Sequence, residues 1–370
     1  ARAESTSPAG VGSAAPAEPG TAPAPLAEVE TLPAATTPES WACPGSGAPS
    51  GATPSSVSSL AGREVQRLLD GEKIYDRYSW DEVLQEQGDG GKVVVCRPKG
   101  ERAEGPAEFV MKIRAKESLG QCHVNMEPQF RRVLLRMMNL PPHRSVMELQ
   151  EVLEDDRFYY VVMRRAVGGP LLEGLLGQFT SGVIPAPALK QVMREILQGL
   201  GHIHRHGMLH RDIKPDNLVV HHSDGRSPTS GGCPGVRVML IDFDMADPDW
   251  KHGRWSLDCS FAGTVRFSAP EALLGRYSPQ SDLYGVGMIL YLLMTGTLPY
   301  DDDVFQAPVG PDADRDWHAI IRNRMAGAEV DWRRSPWPQQ PLCRDLCERL
   351  LRFHPEERIA TAAEALEHAW

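Results

Sequence analysis

The sequence predicts an α+β fold of two lobes, strand-rich first and helix-rich second, preceded by a segment that forms no core. Three observations carry this. About three-quarters of residues 1–60 are Ala, Pro, Ser, Thr or Gly. That composition cannot bury enough apolar surface to offset the entropy of ordering, so the segment is expected to be disordered. Short β-prone runs then cluster between residues 92 and 163, and long helical patterns follow only after Gly169, at 188–204 and 281–295. This is the order of an α+β plan, and the cleft between its two parts is a natural ligand site.

In chain order, Val65, Leu68 and Leu69 recur at helical spacing and predict a lead-in helix over residues 61–73, ahead of a folded domain at 74–370. Residues 92–96 (Lys-Val-Val-Val-Cys) and 109–112 (Phe-Val-Met-Lys) read as strands flanking a turn that contains Gly and Pro, and residues 158–163 (Phe-Tyr-Tyr-Val-Val-Met) read as another. Between them, residues 130–138 place Val133, Leu134, Met137 and Met138 on one helical face. Residues 221–236 hold Ser, Gly and Pro without periodicity and read as an inserted surface loop, as do residues 299–315 with their acidic run at 301–303.

Lys and Arg number 39 against 49 Asp and Glu, for a formal charge of −10. With no local basic patch, neither nucleic acid nor an anionic membrane is an expected partner. The seven Cys are an odd number without the dense spacing of a secreted disulfide scaffold, so an intracellular, cytoplasmic setting is expected. No apolar run approaches the roughly 20 residues of a bilayer span. The N-terminus has no basic stretch followed by a hydrophobic one, and Arg2 is the only basic residue in the first 60 positions, unlike a transit peptide. The sequence begins at Ala1, as a fragment would.

The most informative stretch is His210-Arg-Asp-Ile-Lys-Pro-Asp-Asn217, followed 25 positions after Asn217 by Asp242-Phe-Asp244 and then by Ala269-Pro-Glu271. Asp212 is a carboxylate able to accept a hydroxyl proton, and Lys214 is a cation beside it. Asn217 and Asp242 are oxygen donors suited to a hard divalent cation. Phosphoryl transfer asks for this set, because positioning and charge neutralisation make up most of its catalysis. An exposed polar turn before an unrelated strand is the bland alternative, and it leaves the ordered downstream partners unaccounted for.

On these motifs the sequence resembles the eukaryotic protein kinases over about residues 74–370, and its closing Glu-Ala-Leu-Glu-His-Ala-Trp370 is similar to the last helix of the calcium/calmodulin-dependent group. The resemblance implies a bilobal protein kinase fold, with an N-lobe at about 74–166 and a C-lobe at about 167–370. It implies catalytic roles for Asp212, Lys214 and Asn217, and metal binding by Asn217 and Asp242. Asp282 would anchor the catalytic loop, and Arg358 would pair with Glu271. Lys112 would contact the α- and β-phosphates of ATP, with Gly88 and Gly91 presenting backbone N–H groups to phosphate. Met163 would gate the adenine pocket beside Val93, followed by Arg164 and Ala166 at the hinge, although core packing explains Val93 and Met163 equally well. Lys214, with Thr264 in agreement, marks serine/threonine specificity. Ser260 falls where regulated relatives carry phosphate, so phosphorylation there is the expected switch of the activation segment, with Ser256 and Thr264 nearby, Arg211 as the clamp that would bind it, and an unmodified loop serine as the alternative.

Three positions depart from the pattern. Glu86 replaces the first Gly of the phosphate loop. Arg131 or Arg132, depending on register, stands where a helix Glu should pair with Lys112, and a cation cannot do so. Glu127, about one turn upstream, is the nearest substitute; Pro128 places it at the helix edge, where complementing the helix dipole is the alternative role. Lys112 is thus expected to meet Glu127 or a metal-bound phosphate. Asp244 replaces a Gly and is expected to turn to solvent, the alternative being that it adds negative charge near the metals beside Asp242.

The expected activity is transfer of the γ-phosphoryl group of Mg-ATP to Ser or Thr hydroxyls on protein, with ATP and Mg²⁺ as cofactors. The rival is a pseudokinase that binds nucleotide or a partner and signals by shape, supported by the three departures. A small-molecule phosphotransferase would not need Ala269-Pro-Glu271 or Arg358. Asp216 suits basic side chains upstream of the target hydroxyl, whereas Pro170 stands where basic-directed relatives carry Glu. A calcium sensor or calmodulin would act only through regions outside this chain, which has no EF-hand loop or calmodulin-binding helix. His202, His204, His206 and His210 are expected to be structural rather than a metal cluster. Cys343 and Cys347, four apart, are expected to be buried thiols on one helix face.

Overall fold

Period-two burial in the first half of the chain and 3.6-residue periodicity in the second resolve into a twisted sheet and a helical lobe. The structure, a computed structural model, describes residues 62–86, 91–100, 109–120, 126–179, 182–222, 236–258, 261–306 and 316–370. The expectations for residues 1–60, for Gly88 and for Ser260 lie outside the described residues, as do 223–235 and 307–315 of the two expected loops.

The first lobe runs β1 (Gln66–Arg67), α1 (Ile74–Arg77), β2 (Tyr78–Glu86), β3 (Lys92–Pro98), β4 (Phe109–Ala115), α2 (Lys116–Gly120), α3 (Glu127–Met138), β5 (Leu149–Glu154) and β6 (Phe158–Arg164). Its six strands lie in the order β1-β5-β6-β4-β3-β2. Alternation along β4 sends Met111, Ile113 and Ala115 into the buried interior and leaves Lys112 and Arg114 together on the other face. Met111 and Ile113 pack with Val94, Cys96, Leu153, Tyr160 and Val162 on one side of the sheet. On the opposite side Val152, Tyr159 and Val161 join Phe130, Val133, Leu134, Met137 and Met138 of α3 in the main core. Burial pushes the Cys96 thiol up to about 12.

The described part of the expected lead-in helix, residues 62–73, is not helical. Gln66 and Arg67 pair in parallel with Leu153 and Glu154, and the Leu68 amide donates to the Glu154 carbonyl at 2.9 Å. The edge of β5 offers unpaired backbone groups, and satisfying them outweighs a short helix that would be marginal alone. The three-residue spacing of Val65 and Leu68 serves two sides of the sheet rather than one helix face: Val65 joins the α3 core and Leu68 the opposite one, while Leu69 is exposed. Gly71, at φ 84°, turns the chain away. Arg63 fastens the strap, since its amide and carbonyl bond both ends of the Asn139 side-chain amide at 2.8 Å and its guanidinium donates to the Leu149 carbonyl at 2.9 Å.

The second lobe runs α4 (Leu171–Gln178), α5 (Ala186–Arg205), β7 (Leu218–His222), β8 (Val236–Leu240), β9 (Ser256–Leu257), β10 (Arg276–Tyr277), α6 (Pro279–Thr295), α7 (Trp317–Gly327), α8 (Pro341–Leu350) and α9 (Ala362–Leu366). The β7–β8 hairpin is antiparallel and places the catalytic stretch just before it and Asp242 just after it. Cys343 and Cys347 are buried on one face of α8; burial pushes the first thiol up to about 12 and the second well above its ordinary value. His202 meets the Pro141 carbonyl and His204 meets Asp282, each at 2.8 Å, and His210 meets the Ile241 carbonyl at 3.0 Å. Among the described residues no helix is long and apolar enough to cross a membrane.

Candidate active site

Asp282, near the start of α6, builds the catalytic loop from beneath. Its carboxylate accepts the backbone N–H groups of His210 at 3.0 Å and Arg211 at 2.9 Å and faces His204 Nε2 at 2.8 Å. Burial alone would raise its pKa, but His204 and these donors outweigh it and hold the carboxyl below the usual range. Anchored this way, Arg211 adopts φ 67°, a conformation that persists only where the surroundings fix it.

Asp212 is pinned on one side only. Its Oδ2 receives Asn217 Nδ2 at 2.8 Å and lies 3.0 Å from Lys214 Nζ; the same Asn217 nitrogen donates to the Asp212 carbonyl at 2.8 Å. Its Oδ1 is buried without a hydrogen-bond partner. Lys214 also donates to Thr264 Oγ1 at 2.8 Å, so Asp212, Lys214 and Thr264 form one chain of contacts across the mouth of the site. Asn217 spends its amide hydrogens on Asp212, leaving its carbonyl oxygen for a cation.

Lys112 finds its partners in a place the sequence did not indicate. Its Nζ lies 2.7 Å from Asp242 Oδ1 and 2.9 Å from Asp244 Oδ2, and Asp244 Oδ2 is also 3.1 Å from Arg114 Nε. Asp244 therefore does not turn to solvent. Two cations on one face of β4 offer it a charge-balanced site, which outweighs the backbone freedom lost with the family's Gly. Burial alone would lower the Lys112 pKa, but the two carboxylates raise it. Burial likewise pushes Asp242 up, but Lys112 holds it below the usual range, so it stays ionised; Asp244, buried and beside Asp242, is raised. Asp242 sits at φ 58° and its side chain is 38 % exposed toward the cleft. An ionised carboxylate plus an amide oxygen fits Mg²⁺, which usually takes one or two carboxylates and completes its shell with water and phosphate.

Helix α3 does not supply a partner for Lys112. Arg131 bonds Glu154 at 2.6 Å, while Arg132 lies 3.6 Å from Asp249. Glu127 does not reach Lys112 either: its Oε1 accepts from Tyr159 at 3.0 Å and lies 4.0 Å from Lys116. Glu127 starts the helix, as Pro128 implied, and is spent there.

The remaining expected residues line the lobes. Gly91 is buried at the entry to β3, Val93 pairs across the sheet with Lys112, and Met163 pairs with Val110. Arg164 ends β6 exposed, and Ala166 is half-buried in the connection to the second lobe. Phe243 packs against His210 with the rings tilted by 48° and their centres 4.7 Å apart. Glu271 takes both Arg358 guanidinium nitrogens, at 2.7 and 3.1 Å, in a buried fork, with Ser281 at 3.0 Å. Arg211 donates to the Met245 carbonyl at 2.6 Å and to Asp258 Oδ2 at 3.2 Å, over the Tyr277 ring.

Sequence reasoning passed over Arg114, Glu154 and Asp258. Arg114 was discoverable from strand periodicity, because it lies two positions after Lys112. Glu154 and Asp258 carry no motif, and only the folded chain brings them to Arg131 and Arg211.

With this geometry, comparison with known proteins is specific. The protein kinase domain family matches residues 82–370. Serine/threonine-protein kinase H1 from Homo sapiens is 30 % identical over 240 residues, covering 64 % of this chain and 50 % of that protein. Calcium-dependent protein kinase 8 from Oryza sativa subsp. japonica is 30 % identical over 322 residues, covering 86 % and 53 %, and calcium-dependent protein kinase 8 from Arabidopsis thaliana is 30 % identical over 241 residues, covering 65 % and 40 %. The chain thus spans about half the length of these relatives or somewhat less. Family match, two-lobed α+β fold and the paired anchors Asp282 and Glu271–Arg358 agree, and the chain belongs to the protein kinase domain family, on the side of its serine/threonine members.

Proposed function

We propose that this domain transfers the γ-phosphoryl group of Mg-ATP to serine or threonine hydroxyls of protein substrates. The observation that carries the reading is the asymmetry of Asp212, whose Oδ2 is locked by Asn217 and Lys214 while its buried Oδ1 has no partner. A buried acceptor left unmatched costs about 1–3 kcal/mol, a strain that an incoming hydroxyl relieves. Asp212 Oδ1 orients that hydroxyl and takes its proton as the oxygen attacks. Lys214, tethered by Thr264, offsets negative charge at the transferring group. Mg-ATP supplies the phosphoryl group, with the cation neutralising charge on its oxygens. Lys112 would hold the phosphates of the nucleotide, and Asn217 and Asp242 would hold the cation. Asp216, exposed beside the catalytic loop, supports substrates with basic side chains near the target hydroxyl.

The test is transfer of labelled phosphate from Mg-ATP to protein substrates by wild type and Asp212→Asn. The variant is expected to lose at least about a hundredfold in rate while nucleotide binding survives, the scale typical of general-base and orienting effects. A wild type that binds ATP but transfers no more than the variant, in Mg²⁺ or Mn²⁺, would establish the pseudokinase reading instead.

A further inference from the structure

We propose that Asp244 is the residue that positions Lys112 against nucleotide phosphate, a role that helix α3 does not fill in this chain. The inference rests on the reading above that Lys112 serves a nucleotide.

Two carboxylates meet Lys112, and they are not equivalent. Asp242 Oδ1, at 2.7 Å, belongs to a group whose oxygens are also needed by a cation. Asp244 Oδ2, at 2.9 Å, has no such second duty. On its other side the Arg114 guanidinium lies 3.1 Å away as an ion pair without hydrogen-bond geometry at Nε, and the Asp244 side chain is only 17 % exposed. A lysine ammonium is a point charge on a flexible stem, so one fixed anion decides where it sits. When Asp242 turns to a cation, Asp244 keeps Nζ in place.

Every α3 side chain that might compete is committed elsewhere. Glu127 faces Tyr159 and Lys116, and Arg131 faces Glu154. The helix instead grips the chain immediately after Asp244. Gln129 Nε2 lies 3.5 Å from the Ala246 carbonyl, Arg136 Nε donates to the Pro248 carbonyl at 3.0 Å, and Arg132 pairs with Asp249 at 3.6 Å. Residues 244–249 thus stand between helix and lysine: α3 holds the loop, and the loop, through Asp244, holds Lys112. A Gly at 244 would leave that path without its last link.

The readout is the affinity for Mg-ATP against that for adenosine, which lacks the phosphates, by equilibrium titration of the full chain. Losing the charge-assisted bond that holds Lys112 predicts Mg-ATP binding about tenfold weaker in Asp244→Asn than in wild type, with adenosine binding unchanged. Asp244→Glu should restore most of the affinity, and Glu127→Gln should match wild type. Asp244→Gly, which leaves no buried amide to satisfy, serves if the Asn variant fails to fold and is expected to show the same loss. Equal Mg-ATP affinity in the Asn or Gly variant, or a loss in Glu127→Gln alone, would overturn the assignment. A wild type that binds neither Mg-ATP nor adenosine would overturn the phosphotransfer reading and the assignment with it.

Discussion

Arg131 and Glu154 join helix α3 to the end of strand β5 through a 2.6 Å ion pair, and Lys116 closes on the second oxygen of Glu154 at 2.7 Å. The arginine that looks wrong for contacting Lys112 is therefore right for holding the helix to the sheet. Glu154 is buried, and two cations on one carboxylate satisfy it more fully than a single pair would.

This junction has a pH signature. Burial alone would raise the Glu154 carboxyl, but the bonds from Lys116 and Arg131 outweigh burial and hold it below its ordinary 4.5. A carboxyl with a depressed folded pKa binds more protons unfolded than folded, so its stabilisation is complete above about pH 4.5 and fades as pH falls through the folded value. Glu154→Gln should lower stability at pH 7 by about 1–2 kcal/mol, discounted for the solvent-exposed part of Arg131, and should flatten the acid limb. Urea unfolding of both proteins between pH 3 and 7 checks this; parallel limbs would remove Glu154 from the account.

The Lys214–Thr264 contact predicts a split in kinetics. Thr264→Val keeps the shape of the side chain but removes the acceptor 2.8 Å from Nζ. The turnover number should fall about tenfold, on the scale of one charge-assisted bond, while nucleotide affinity stays within twofold. Steady-state assays with varied ATP separate the two effects.

Arg211 already meets a carboxylate. Asp258 Oδ2 lies 3.2 Å from its guanidinium, in the segment where regulated relatives carry phosphate. Unphosphorylated protein should therefore be active, and Ser260→Ala should keep at least about half of that activity. Asp258→Ala should lose about tenfold, the worth of one charge-assisted bond. Mass spectrometry of the assayed samples establishes their phosphate content; an inactive Ser260→Ala would show that the carboxylate is no substitute.

The strap formed by residues 62–70 predicts a sharp truncation boundary. A chain starting at Gly62 should melt with the full chain. One starting at Lys73 uncovers the sites of Val65 and Leu68, each worth about 1.5–3 kcal/mol of burial, and should lose roughly 3–5 kcal/mol. Chemical denaturation of the two truncations decides it.

The catalytic loop was legible in the sequence because Asp212, Lys214 and Asn217 lie within six consecutive residues whose spacing fixes their chemistry. The anchors Glu271 and Arg358 were legible through the family resemblance alone, since 87 positions separate them. Lys112 was legible but its partner was not: an ammonium takes whichever carboxylate the fold brings within 3 Å, and Asp244 arrives from a loop in the other lobe. The strap was misread because three-residue spacing describes a helix face and also a strand leaving one sheet face for another. Two residues of pairing are too few to show a period of two.

The parallel pairing of Gln66 and Arg67 with Leu153 and Glu154 also defines a load path. Tension applied at Gly62 runs along β1 and shears its bonds to β5 rather than peeling them one at a time. It is borne first at the Arg63–Asn139 clamp, at the tail of α3, and then at Glu154, the carboxylate that tethers the middle of the same helix through Arg131. A pull on the leading chain is thereby delivered to the tail and the middle of one lever, so the domain resists mechanical stretching at the helix next to its active site.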